Sequence, residues 1–236
     1  MTNNPSRSPN SRFELNLTEF WSAHLGLTLV TISLSVILFV ITPLREAGLP
    51  GRLFFETVVV ALMIFGSLAI RQSRLAKAFS IATVIVSAVV LGAGRVHPTR
   101  VLHLWGSALV IVTLLLFARI VLLVMFDEGP VTWSRIQGGL CVYLLIGMAW
   151  ASAFQFLEQL HPGSFTFTSV PADIDQLTAK LTYFSFATLT TVGSTIVPVD
   201  PFARSLTIAE AIVGQLFPAT LIGALVAMAM QSRTRS

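Results

Sequence analysis

The residues whose types and spacing suit a chemical task are few, and they cluster. Thr178–Thr191, TAKLTYFSFATLTT, is a semi-apolar stretch of about fourteen residues. The polar run Thr190, Thr191, Gly193, Ser194 and Thr195 closes and follows it. At 1.5 Å per residue such a helix reaches roughly 21 Å, too short for a hydrocarbon core of about 30 Å. A short helix that enters a membrane without leaving it brings irregular backbone to that depth. This is tolerated only where the backbone is buried in protein or lines a water-filled cavity. The chemistry that fits is coordination of a dehydrating cation. The negative C-terminal end of the helix would face the ion, and an extended Thr-x-Gly segment would turn carbonyl oxygens toward an axis. Glycine permits the backbone angles such a run needs. One strand offers too few oxygens to replace a hydration shell, so several copies must share the axis.

The other candidates do not make a reaction centre. His24, His97, His103 and His161 are scattered, and there is no Gly-x-Ser-x-Gly and no His/Glu pair at helical ligand spacing. The chain is therefore read as a non-enzyme without a cofactor. Cys141 lies in an apolar run and reads as a small buried hydrophobe. Glu210 is the one acid well inside a long apolar run. It either hydrogen-bonds behind the polar segment or its helix, or is a satisfied or snorkelling interface residue. Asp173, Asp175 and Asp200 either concentrate cations at an outer mouth or sit in a solvated loop.

The elements that must position these residues follow from composition. Of 236 residues, 54% are hydrophobic and 11% charged, and mean hydropathy is +0.81. An ordinary globular domain carries roughly 25% charged residues. The balance excludes a soluble enzyme, a nucleic-acid-binding domain and a disordered protein, and leaves an all-α integral membrane protein. The 15 Lys and Arg lie mostly at the ends of apolar runs, as basic residues that set topology do. No nucleic-acid partner is expected; membrane lipid is.

Six transmembrane helices are predicted, at about Phe20–Ile41, Leu53–Ile70, Ala78–Ala93, Val101–Phe126, Thr132–Leu157 and Phe202–Met230, with the re-entrant segment between the fifth and sixth. Pro43, with Gly48 to Gly51 after it, reads as a break. The domains are then a disordered cytoplasmic tail over 1–19, a four-helix membrane domain over 20–130, a pore domain over 131–231 and a C-terminal tail over 232–236. Placing both termini inside puts Arg7, Arg12, Arg71, Arg74, Lys77, Arg119, Arg135, Arg233 and Arg235 on that side. Arg45, Arg52, Arg95, Arg100, Lys180 and Arg204 fall on the other, a bias in the expected direction. The fourth span holds only Arg119, so it lacks the repeated basic residues of a voltage sensor. With only a few residues after Met230, no nucleotide-binding domain is expected.

From about Thr132 to Met230 the sequence resembles the bacterial potassium-channel family with two helices and a pore loop. The resemblance rests on TWSRIQGGLCVYLLIG, HPGSF, YFSFATLTTVG and PVDPFARSLTIAEAIVGQ, in that order. It implies a homotetramer in the bacterial inner membrane and a selectivity filter at Thr191, Val192, Gly193, Ser194 and Thr195. A monovalent cation would be held at Thr191, Val192 and Gly193. Tyr183, Phe186, Thr190 and Glu210 would support the pore. Gly214, Pro218 and Gly223 would be cavity-lining positions where the last helix bends, or else helix-packing positions.

The filter departs from the family pattern Thr-Val-Gly-Tyr-Gly-Asp: the run here is Thr191-Val192-Gly193-Ser194-Thr195-Ile196. Its length is closer to cyclic-nucleotide-gated cation channels, which are poorly selective. A β-branched Thr pays heavily for positive φ, and the missing Tyr removes an aromatic wedge. The expectation is two inner sites at Thr191 and Val192 beneath a wider hydrated mouth at Ser194 and Thr195. Potassium would be the permeant ion, weakly discriminated from sodium. A non-conducting pore-family subunit or scaffold is the second reading, and a secondary transporter the third.

Overall fold

The computed structural model describes residues 27–47, 85–86, 89, 99–125 and 133–234. Four helices in it are long and apolar enough to cross a membrane. They are α1 (Leu27–Glu46), α2 (Arg100–Met125), α3 (Trp133–Leu160) and α5 (Pro201–Thr234). Between the last two lies the shorter α4 (Ile174–Leu189). Strands β1 (Phe165–Thr166) and β2 (Val197–Pro198) form an antiparallel pair, with Phe165 opposite Pro198 and Thr166 opposite Val197. The runs expected at Leu53–Ile70 and Ala78–Ala93 fall outside the described residues, apart from Ile85, Val86 and Val89, which are helical. Residues 1–26 also lie outside.

Two boundaries differ from expectation. Pro43 does not end the first helix. The turn before it, Ile37–Ile41, widens to a π-helix, and Thr42 donates both its N–H and its hydroxyl to the Ile37 carbonyl. Widening relieves the clash between a proline ring and the preceding turn, so the helix runs on to Glu46. At the other end, α5 continues to Thr234, through the residues read as the start of a tail.

Side-chain contacts order the helices end to end. The Thr28 hydroxyl donates to Gln137 Oε1 at 3.2 Å, so the first described turn of α1 lies level with the start of α3. Arg100, at the first residue of α2, donates to the carbonyls of Gln159 and Leu160 at 2.9 and 2.8 Å. It thereby caps the C-terminal end of α3 and fixes α2 antiparallel to it. The main core joins Val30, Leu34 and Ile37 of α1, Leu114 and Phe117 of α2, and Val142, Leu145 and Met148 of α3. Small residues mark the close crossings, as in membrane packing generally. A methyl added at Gly139 would meet Leu221 Cδ2 at 2.3 Å, and one at Gly147 would meet Phe186 Cζ at 2.6 Å.

A second cluster closes the opposite end. Phe154 of α3, Phe165 of β1 and Phe184 of α4 meet edge to face in all three pairs, with centroids 5.1 to 5.5 Å apart. Leu181, Ile196 and Ala203 complete it. Each such ring pair contributes about 0.5–1.5 kcal/mol beyond its buried area. By contrast, only 6% of the most apolar stretch of α5 is buried, against 61% of that of α3. Phe202, Ile208, Ile212, Leu216, Ile222 and Val226 are exposed along α5, which leaves a long apolar surface for lipid or for further chains.

Candidate functional site

The chain enters the site through α4, which starts four residues earlier than the apolar pattern indicated. Asp173 caps it: its Oδ1 accepts the Gln176 N–H at 2.8 Å, and Gln176 Oε1 accepts the Ala172 N–H at 3.0 Å. This is a near relative of the capping box, with an acid at the cap and a glutamine three residues on. Asp175, in the first turn, pairs with the buried Arg45 of α1 at 2.5 Å. Asp200 caps α5, its Oδ2 accepting the N–H of Phe202 and Ala203 at 2.7 and 3.2 Å. Pro201 follows at the first helical position, where its missing donor is harmless. All three acids read as outer-mouth or loop charges thus hold helix starts in place.

α4 spans 16 residues, about 24 Å, and ends near mid-length of its neighbours. The Tyr143 hydroxyl donates to the Leu189 carbonyl at 3.2 Å, and Tyr143 stacks on Phe217 of α5 with centroids 6.0 Å apart. From there the chain turns back and reaches β2 and Asp200 at the end where α4 began. Gly214 of α5 lies against the turning point. A methyl there would stand 2.0 Å from the Leu189 oxygen, so this glycine is a point of backbone contact between α5 and α4. A methyl at Gly223 meets nothing within 4 Å among the described residues, and Pro218 sits inside a helix that continues through it.

The turn itself has a defined geometry. Thr190 N–H bonds the Phe186 carbonyl at 3.0 Å and Thr191 N–H the Thr188 carbonyl at 3.0 Å. Val192 and Gly193 N–H both reach the Ala187 carbonyl, at 2.9 and 3.2 Å. Thr191 has φ 60° and Gly193 φ 89°. This is a Schellman cap with a threonine in the left-handed position that glycine usually fills. The run expected to leave extended at Thr191 instead folds back on the helix end, because three donors satisfy its orphan carbonyls. Peptide planarity then sets the acceptors. In a trans unit the carbonyl points opposite to the following N–H, so the carbonyls of Thr190, Thr191 and Val192 all point away from α4. Thr190, Thr191, Val192 and Gly193 are exposed, so this row of oxygens faces open space.

Beyond Gly193 the chain is drawn inward. Ser194 Oγ accepts the Ile196 N–H at 3.1 Å, a local turn that uses one lone pair of that hydroxyl. Ile196 is buried in the phenylalanine cluster. An aliphatic anchor in a cluster of three rings therefore holds the exit of the segment, and it packs with Phe184 of α4 although the family's tyrosine is missing. Glu158 fixes the facing loop, its two oxygens accepting Gly163 N–H at 2.8 Å and Phe165 N–H at 3.0 Å. The Ser164 carbonyl then receives the Val199 N–H at 2.9 Å.

Behind the turn sits Glu210, fully buried. Its Oε1 is 2.5 Å from Ser185 Oγ, which is also 2.8 Å from the Gly147 carbonyl. Oε2 has no hydrogen-bond partner among the described residues. Glu210 thus joins α3, α4 and α5 through one serine. Of the other expected supports, Phe186 packs on Gly147 and the main core, while Tyr183 is 52% exposed on the surface of this chain. Tyr143, Glu158, Ser185, Ile196 and Gln215 were not picked out from sequence. The Asp-Pro pair before α5 and the Asp-x-x-Gln before α4 were the signals available for the caps; none exists for an isolated tyrosine or glutamine in an apolar run.

Residues 140–231 match a family model described as ion channel, a stretch that contains most of α3, all of α4, the turn and nearly all of α5. The match supports an ion-channel pore domain there, and with the apolar helices it marks an integral membrane protein. Ion channels are not a class of enzyme. No curated protein and no solved structure matches the chain.

Proposed function

We propose that the chain forms a tetrameric cation channel that conducts potassium, with weak discrimination against sodium, through the oxygens of Thr191, Val192 and Gly193. The observation that carries this reading is the row of carbonyls at Thr190, Thr191 and Val192, all directed away from the end of a half-length helix whose own negative end lies behind them. Left-handed angles at Thr191 and Gly193 alternate with Val192 between them. That alternation aims neighbouring oxygens the same way, as a filter requires. Ser194 and Thr195 lie beyond this row without a second glycine, which supports a short set of dehydrated sites below a hydrated mouth.

Four copies would bring the exposed turns together around one axis and cover much of the bare α5 surface. In this arrangement α4 and the turn form the re-entrant segment, and both chain ends lie on the cytoplasmic side of a bacterial plasma membrane. The inner stretch of α5 that holds Pro218 and Gly223 would line the cavity. The test is twofold. Native mass spectrometry of the detergent-purified protein should give four chains. Vesicles loaded with potassium and containing it should release potassium when charge is compensated. A monomer or dimer, or vesicles as tight as protein-free controls, would refute the reading in favour of a non-conducting subunit.

A further inference from the structure

The left-handed Thr191 is held from outside its own segment. Gln215, one residue beyond the Gly214 contact on α5, donates through Nε2 to Thr191 Oγ1 at 3.1 Å, across 24 positions of sequence. Both side chains lie on the open side of the turn. A β-branched residue at φ 60° is strained, and its hydroxyl has three staggered positions to choose from. In the structure one donor from another helix selects among them.

We infer that Gln215 is a positioning residue that fixes the Thr191 hydroxyl at the innermost cation site and ties that site to the register of α5. The inference rests on the channel reading above. A threonine oxygen that accepts an N–H keeps one lone pair for a cation and has its own proton turned aside. Without the amide the hydroxyl rotates, and the site loses an aligned oxygen. Gly214 fixes how closely α5 approaches the end of α4, and Gln215 connects that approach to the ion ligand. Any sliding or rotation of α5 past α4 therefore alters the innermost site directly. This gives the inner helix a route to the filter through one hydrogen bond rather than through bulk packing.

The test is a cycle of Gln215→Leu, Thr191→Val and the double variant. It is read as the potassium concentration for half-maximal single-channel conductance in planar bilayers and as the sodium-to-potassium permeability ratio. Leu keeps the bulk of Gln without its hydrogen bond. A neutral hydrogen bond of ordinary strength corresponds to about a two- to tenfold change, so Gln215→Leu should raise the half-saturating concentration by that factor. In the Thr191→Val background it should change nothing further, because a residue that acts through Thr191 has no route once the hydroxyl is gone. Additive effects, or no effect of Gln215→Leu on wild type, overturn the inference while leaving the channel reading intact. A wild-type protein that passes no current overturns both. If Thr191→Val alone is silent, the same cycle is read as the potassium-dependent rise in Tm of the detergent-purified tetramer, which needs no conduction. Non-additivity there supports the inference, and additivity overturns it.

Discussion

Gly214→Ala is the perturbation whose magnitude the structure defines best. The added methyl would stand 2.0 Å from the Leu189 oxygen, 2.8 Å from its carbonyl carbon and 2.9 Å from its Cα, where ordinary contact begins at 3.4 Å. These are backbone atoms, so no side-chain rotation relieves the overlap. The oxygen must retreat by about 1.4 Å, and Tyr143, which donates to it at 3.2 Å, stands in contact with the same atom. Forcing a methyl into a packed site costs about 1–3 kcal/mol. Loss of the tyrosine hydrogen bond adds about 1 kcal/mol. Ala itself favours a helix over Gly by about 1 kcal/mol, a gain shared by Gly223→Ala, where the methyl meets nothing within 4 Å among the described residues. The difference between the two variants therefore isolates the close approach, and it should be about 2–4 kcal/mol against Gly214→Ala. The assay is reversible unfolding of each full-length variant by SDS in mixed micelles, followed by circular dichroism. A difference below about 0.5 kcal/mol, within the usual scatter of surface substitutions, would refute the backbone contact between α5 and α4. Gly214→Ala should also abolish single-channel current, since the same displacement carries the Thr190–Val192 carbonyls with it.

Two further predictions concern the buried polar groups. Glu210→Gln should fold and assemble like wild type, because a carboxamide can donate to Ser185 Oγ while Ser185 donates to the Gly147 carbonyl. Glu210→Ala should lower stability in the same SDS titration by about 2–4 kcal/mol through the cavity and the lost bond; equal stability of the two variants would contradict the account. Asp175→Asn weakens the partner of a guanidinium whose side chain is 8% exposed. It should cost about 1–3 kcal/mol and speed hydrogen exchange at the end of α1 and the start of α4 together, as read by mass spectrometry. Exchange that rises in α4 alone would show that α1 is not docked through this pair.

The sequence was informative where a physical rule is local. A 14-residue semi-apolar stretch followed by Thr-x-Gly located α4 and the turn, because helix length and left-handed glycine are properties of short segments. Glu210 drew attention as a lone acid in an apolar helix, and Ser185 is its partner. The rest depends on contacts that distant residues make. Pro43 looked like a terminus until the π-turn beneath it absorbed the clash. Asp173, Asp175 and Asp200 read from sequence as charges of an outer mouth or a solvated loop, and neither reading contained the structural partner that each has at a helix start. Ile196 is unremarkable as a letter, and only the meeting of Phe154, Phe165 and Phe184 from three elements makes it an anchor. Gln215 was invisible for the same reason: its partner lies 24 residues away.

The central claim is that the turn presents a short set of dehydrated cation sites, and bi-ionic reversal potential tests it most directly. Purified protein in a planar bilayer, with potassium on one side and sodium on the other, should give clear current that reverses near zero. That result fits few aligned oxygens at Thr191 and Val192 beneath a hydrated mouth at Ser194 and Thr195. Reversal near the potassium limit, with a sodium-to-potassium permeability ratio below roughly 0.05 (a discrimination near 2 kcal/mol), would contradict it, because the outer half of the segment would then also have to supply ordered sites.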